Sequence, residues 1–111
     1  MAEVSPDTQE RLARNEATFR RINEDIRRGR DPGDETLVGF VCECGAPDCT
    51  RLIEMTTAEY ERVRSDPLLF AVVSGHEIDG IETVVDRNER YTVVRKMAAS
   101  EPVALATDPR T

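Results

Sequence analysis

The feature that most constrains this chain is a group of three cysteines within eight residues. Cys42, Cys44 and Cys49 are the only cysteines among its 111 residues. An odd number disfavours a disulfide framework, and the first residues have neither the basic flank nor the apolar stretch of a secretory signal. Cys42 and Cys44 point to the same side if the chain stays extended there. The Gly- and Pro-containing segment that follows can then turn so that Cys49 reaches the same point.

Three thiolates need a fourth donor to complete a tetrahedral zinc site. The chain has one histidine, His76, in a glycine-containing turn directly after a predicted strand. We therefore predict that zinc is the cofactor and that its ligands are Cys42, Cys44, Cys49 and His76. A site closed by four protein ligands would have a structural role.

The fourth position has alternatives. A carboxylate oxygen from Glu43, Asp48 or Glu77 would replace the His76 nitrogen, and a water molecule would leave the site open. An open position is typical of catalytic rather than structural zinc.

A redox or catalytic protein that uses the Cys42, Cys44 and Cys49 thiolates is the main alternative to a structural metal. Two cysteines separated by one residue can form a strained disulfide, and a thiolate beside a histidine can act as a nucleophile. However, no orienting Asp or Asn and no glycine-rich phosphate loop are identifiable. We therefore expect no catalytic residues and a protein that is not an enzyme. Simple burial of the cysteines is disfavoured, because loops seldom form the core.

The fold class predicted is α+β, with an N-terminal α-helix followed by a small, mostly antiparallel β-sheet, one short helix and the zinc-binding loop. Thr56 and Glu59 have the spacing of a capping box at the start of the short helix. Alternating or apolar runs predict strands at 37–41, 51–55, 68–73, 81–87 and 91–96.

The pattern divides the chain into four regions, of which the body is the largest. A domain of about sixty residues, like this body, buries only about 60% of the surface of its unfolded chain and usually needs a disulfide, a metal or a partner to fold. The predicted regions are a disordered leader at 1–7, the helix at 8–30, the zinc-binding body at 36–97 and a disordered tail at 98–111.

A narrow apolar stripe runs along the predicted N-terminal helix, formed by Leu12, Phe19, Ile22 and Ile26. It resembles a coiled-coil seam more than the broad apolar side of a core helix. We interpret it as a surface for association with a protein partner or a second copy of the chain, with regulation as one use. The alternative is a solvated helix whose arginines are balanced by neighbouring acidic residues.

The charge pattern disfavours nucleic-acid and membrane partners. The net charge is −7; residues 1–30 carry seven arginines and six acidic residues, and the remainder carries eight basic and sixteen acidic residues. Binding to a phosphate backbone depends on Lys and Arg, which an acidic body does not supply. No apolar run approaches the roughly 18 residues of a membrane span. We expect a cytoplasmic protein.

Through several of these residues, the sequence resembles a family of small actinobacterial proteins that has no assigned activity. The family pattern contains Phe-x-Cys-Glu-Cys, a third cysteine and Gly-His-Glu, which correspond here to Phe40–Cys44, Cys49 and Gly75–Glu77. The resemblance covers residues 11–96 and implies an N-terminal helix joined to a metal-binding body. It also implies a role for His76. The other matching residues are Arg14–Ala17, Phe19, Asn23, Ile53–Thr56, Glu59–Glu61, Val63, Arg64, Phe70–Val72, Tyr91, Val93 and Val94.

Overall fold

The predicted order of helices and strands is present in the computed structural model, which describes residues 5–46, 48–78, 81–97 and 100–110. The α+β class is confirmed: an N-terminal helix precedes antiparallel strands and a short helix. In chain order the elements are α1 (Pro6–Arg28), β1 (Val38–Val41), β2 (Leu52–Met55), α2 (Thr57–Arg64), β3 (Leu69–Val72), β4 (Glu82–Arg87), β5 (Thr92–Lys96) and α3 (Ser100–Ala106).

Helix α1 begins two residues earlier than the sequence predicted. The Ser5 side chain accepts a hydrogen bond from the Thr8 backbone N–H, and Pro6 occupies the first turn, where its missing N–H costs nothing. Residues 5–7 therefore belong to the start of the helix rather than to a leader, whereas residues 1–4 lie outside the described part. The helix ends at Arg28 and is capped by Gly29.

The capping box at α2 is confirmed. The Thr56 side chain accepts from the Glu59 backbone N–H, and the Glu59 side chain accepts from the Thr56 backbone N–H. Both hydrogen bonds satisfy amide groups that a helix start would otherwise leave unpaired. The helix ends at Arg64, shortly before Asp66-Pro67, because the residue before proline avoids the helical conformation.

The strands form two antiparallel sheets rather than a single one. One is the β1–β2 hairpin, in which Val38 lies opposite Met55 and Val41 opposite Leu52. The other has the order β3-β5-β4, with a bulge at Val85 in β4.

The apolar core lies on both sides of the three-stranded sheet, because successive side chains of a strand point to opposite faces. Ala71 and Val93 join a cluster that includes residues of the hairpin and α2. Phe70, Val72 and Val94 join a second cluster that includes Cys42, Cys44 and Ala104. The cysteine loop is therefore part of the core on one side of the sheet.

The structure corrects the predicted disordered tail at 98–111. Ser100–Ala106 form α3, which contacts α1, and its Ala104 is buried in the second core cluster beside Cys42 and Cys44. Beyond the helix, Asp108 pairs with the buried Arg64, and Arg110 pairs with Glu24 and Glu61. The small, polar composition did not reveal these partners, which are 44 to 86 residues away. Residues 98, 99 and 111 lie outside the described part.

Helix α1 buries mainly polar side chains against the rest of the protein, together with Ala13 and Ala17. Glu16, Arg20, Asn23 and Glu24 are buried, whereas Leu12, Phe19 and Ile26 are only half-buried and 43% of Ile22 is exposed. Buried polar groups are tolerated only where they find partners. These partners come from distant parts of the chain, so the pattern of the helix alone could not show them.

Among the described residues, no helix has the length and apolar character needed to cross a membrane.

Lys96, the only lysine of the chain, is the partner of the buried Glu16 of α1. Its side chain is fully buried, its nitrogen contacts the carboxyl groups of Glu16 and Glu82, and this nitrogen lies 5.2 Å from the centre of the Phe70 ring. Burial raises the pKa of Glu16 to about 8; Lys96 opposes this rise, and the nearby Glu82 and Glu43 add to it. Glu16 is therefore largely protonated at neutral pH.

We expect Glu16→Gln to flatten the pH dependence of stability. The folded protein keeps the Glu16 proton up to about pH 8, whereas the unfolded chain loses it near its ordinary pKa of 4.5. The free energy of unfolding therefore falls as the pH rises through this window, by up to about 1.4 kcal/mol per pH unit. Glutamine does not titrate, so this slope should disappear. Urea unfolding across the window measures it, with the exposed carboxylate variant Glu54→Gln as the control. A slope equal to that of the wild type would contradict the assignment.

Candidate metal centre

Cys42 is positioned by the end of β1 and by β3. Its backbone N–H donates to the Arg51 carbonyl over 3.0 Å, which extends the pairing of the hairpin by one residue. The Val73 backbone N–H donates to the Cys42 sulfur over 3.2 Å. The hairpin and the end of β3 therefore both hold this side chain, which is fully buried.

A turn returns the chain from Cys44 to Cys49. Gly45 has a φ of +78°, a conformation that favours glycine, and the Cys49 N–H donates to the Ala46 carbonyl over 3.1 Å. The Asn15 side chain donates to the Gly45 carbonyl over 2.9 Å and ties the turn to α1. Cys44 is buried and Cys49 is half-buried.

His76 follows β3 in a tight turn. Its backbone N–H donates to the Val73 carbonyl over 2.9 Å, and its side chain is half-buried. Its Nδ1 atom lies 3.7 Å from the Cys42 sulfur and 3.6 Å from the Cys49 sulfur. The structure thus brings the four residues named from the sequence together.

The four ligand atoms of Cys42, Cys44, Cys49 and His76 lie within 4.8 Å of one another. This group can hold a metal ion. Within the described residues, the group does not include Asp48, Glu43 or Glu77.

The three carboxylates that were alternative fourth donors have other positions or partners. Asp48 is exposed. Glu77 accepts from the Gly75 N–H and from Arg87, each over 2.7 Å, and its pKa is lowered by backbone hydrogen bonds and Arg87. The remaining one, Glu43, faces away from the thiols.

Glu43 was predicted only as an alternative oxygen donor, and its contacts with helix α1 were not predicted from the sequence. It is fully buried, and its carboxylate accepts from Arg20 over 3.1 Å, from Asn23 over 2.9 Å and from the Ala71 N–H over 3.1 Å. The Cys-Glu-Cys alternation could have indicated that it points opposite to the thiols. No local pattern identified Arg20 and Asn23 as its partners.

The thiols are electrostatically unequal. The hydrogen bond from Cys42 lowers the pKa of Cys44 to about 4, against the effect of burial, and the Ala46 N–H, His76 and Cys49 contribute further. The pKa of Cys42 is raised by the same hydrogen bond and by burial. The lowered pKa favours the thiolate form of Cys44, the form in which cysteine binds metals.

We expect Gly45→Ala to destabilise the protein more than Gly75→Ala. Both glycines have positive φ, +78° and +94°, so each alanine carries a strain of about 1 kcal/mol. At Gly45 the added Cβ would also lie 2.6 Å from the Leu12 carbonyl oxygen and 2.8 Å from Glu16 Cγ, whereas at Gly75 it meets nothing within 4 Å. This overlap should cost about 1–3 kcal/mol more. Urea unfolding of the two variants measures the difference, and equal losses would contradict it.

Comparisons of the chain with models of known protein families, with curated proteins and with solved structures give no match. The resemblance to the actinobacterial family stays a prediction, and the functional conclusion depends on the geometry of the cysteine–histidine cluster.

Proposed function

We propose that this is a zinc-binding protein in which Cys42, Cys44, Cys49 and His76 bind one structural zinc ion. The observation that carries the proposal is the separation of the ligand atoms. With Zn–S bonds of about 2.3 Å, Zn–N bonds of about 2.05 Å and tetrahedral angles, sulfur and nitrogen ligands lie about 3.6 Å apart. The two sulfur–nitrogen distances to His76 are 3.7 and 3.6 Å.

The chemistry of the donors supports zinc. Thiolate and imidazole ligands are typical of zinc sites, whereas magnesium and calcium prefer oxygen donors. Four protein ligands close the coordination sphere and leave no position for a substrate or a reactive water. The closed set supports a structural role and a protein that is not an enzyme.

The position of the cluster explains what a structural zinc would do. The cysteines follow the hairpin strand β1, and His76 follows β3 of the other sheet, so one ion would join the two sheets. Structural zinc in small peptides contributes roughly 10–16 kcal/mol of apparent binding free energy. That amount is larger than the stability of a typical small domain.

Metal content is the direct test. The purified wild type should contain one zinc per chain, Cys44→Ser should lose it, and His76→Ala should bind it at least about tenfold more weakly because a ligand is missing. Asp48→Ala is the matched control, since it removes an exposed carboxylate from the same loop. Elemental analysis and competition with a chromophoric chelator provide the measurements.

A wild-type protein that contains no zinc and unfolds at the same urea concentration with and without a strong chelator would overturn the structural role. Fast formation of a Cys42–Cys44 disulfide under mild oxidation of the zinc-loaded protein would favour the redox alternative. Thiols that zinc protects from oxidation would support the metal.

The second part of the proposal concerns partners and location. We propose that the accessible part of the α1 stripe, formed by the exposed Ile22 and the half-buried Leu12 and Phe19, mediates association with a second copy or another protein. Its support is the 43% exposure of Ile22, since an exposed apolar side chain next to half-buried ones can be covered by a partner. We place the protein in the cytoplasm, where cysteines stay reduced and able to bind a metal.

Self-association through this stripe has a simple test. Ile22→Asp should convert a concentration-dependent dimer into a monomer in analytical ultracentrifugation, because a charge cannot be buried in an apolar contact without a large cost. Thr18→Asp is the control, as it adds the same charge at an exposed position of α1 outside the stripe. A wild type that is monomeric at every concentration would exclude the homodimer.

A further inference from the structure

The cysteine loop and helix α1 meet along an alternating pattern of residues. Every second residue from Val41 to Gly45 binds a side chain of α1. Val41 binds Asn23, Glu43 binds Arg20, and Gly45 binds Asn15. The intervening residues Cys42 and Cys44 point to His76 instead. One side of this short segment therefore faces the helix, and the other carries the metal ligands.

The contacts on the helix side are specific. The Asn23 amide accepts from the Val41 N–H over 2.7 Å and donates to the Val41 carbonyl over 2.9 Å, so it takes both backbone groups of that residue. Glu43 pairs with Ala71 twice, through its own N–H over 2.9 Å and through its carboxylate over 3.1 Å. The backbone on both sides of Cys42 is thereby fixed to α1 and to β3.

Arg20 completes this arrangement. Its guanidinium lies 3.1 Å from the Glu43 carboxylate and 3.7 Å from the centre of the Phe70 ring, and it donates to the Pro67 and Leu69 carbonyls. Both charged side chains are almost completely buried. A buried ion pair contributes little net stability, because desolvation offsets the attraction, but it strongly favours the one geometry in which both charges are paired.

We propose that Arg20, Asn23 and Glu43 are positioning residues of the metal centre, so that zinc binding and the docking of helix α1 strengthen each other. This inference rests on the proposed zinc site. Coupling between two events is reciprocal: if the docked helix raises zinc affinity by some factor, zinc raises the stability of helix docking by the same factor. Helix α1 would then be part of the metal centre although it supplies no ligand.

The first test compares zinc affinities of the full-length chain by competition with a chromophoric chelator. Glu43→Gln should weaken zinc binding about 10- to 100-fold, the range typical of residues that orient metal ligands. The matched control is Glu24→Gln, because Glu24 is likewise buried and ion-paired but, among the described residues, its ion pairs are with Arg64 and Arg110 and not with the cysteine loop. An equal loss of affinity in both variants, at equal loss of stability, would overturn the proposal.

A milder variant keeps the test valid if Glu43→Gln does not fold. Arg20→Lys retains the positive charge but cannot reproduce the several hydrogen bonds of the guanidinium. In the cobalt-substituted protein, the ligand-field absorption bands should shift in Arg20→Lys and remain as in the wild type in Glu24→Gln. Unchanged bands in Arg20→Lys together with unchanged zinc affinity would overturn the proposal.

Hydrogen exchange tests the reciprocal effect. Removing zinc from the wild type with a chelator should speed exchange of the α1 amides between residues 15 and 23 as well as those of the cysteine loop. Faster exchange confined to the loop would overturn the coupling. A wild type that binds no zinc would instead refute the proposed function, so the two failures are distinguishable.

Discussion

The packing of helix α1, the hairpin and β3 depends on the hydrogen bonds and the ion pair of the buried Glu43 carboxylate. It lies between two cysteines, contacts Arg20 and Asn23 of α1, and pairs with Ala71 of β3. A helix, a hairpin and the edge of a second sheet therefore meet at one side chain. Removing any partner would leave a charge or a polar group buried without compensation, which costs far more than the loss of an exposed ion pair.

The same principle governs the wider interface of α1. Arg20 and Lys96 bring two buried positive charges to one side of the three-stranded sheet, and Glu43 and Glu82 bring two negative charges. Burial raises the pKa of Glu16 to about 8, so Glu16 keeps its proton at neutral pH and adds no further negative charge beside these pairs. An apolar interface tolerates small shifts in register, whereas paired buried charges favour one register of the helix.

Side chains bind several backbone groups at the edges of the sheets. Asn23 binds Val41 of β1, and Arg20 and Glu43 bind the backbone of β3. On β2, Arg90 donates to the Glu54 carbonyl over 2.8 Å. Edge groups that are already bound cannot pair with a strand of another molecule. The two small sheets are joined by these side-chain contacts, by the backbone hydrogen bond from the Glu43 N–H to the Ala71 carbonyl and by the cysteine–histidine cluster.

The sequence by itself determined the α+β class, the helix and strand order, the capping box and the four residues of the cluster. These features are predictable because they depend on local spacing and alternation, or on residue types as scarce as one histidine and three cysteines. Tertiary structure decided which side of α1 is buried, the role of Glu43, the split into two sheets and the ordering of α3. Those outcomes depend on partners that lie 20 or more residues apart, such as Asn23 with Glu43 and Arg110 with Glu24. Their polar side chains resemble surface residues until folding brings the opposite charge or the unpaired backbone group beside them.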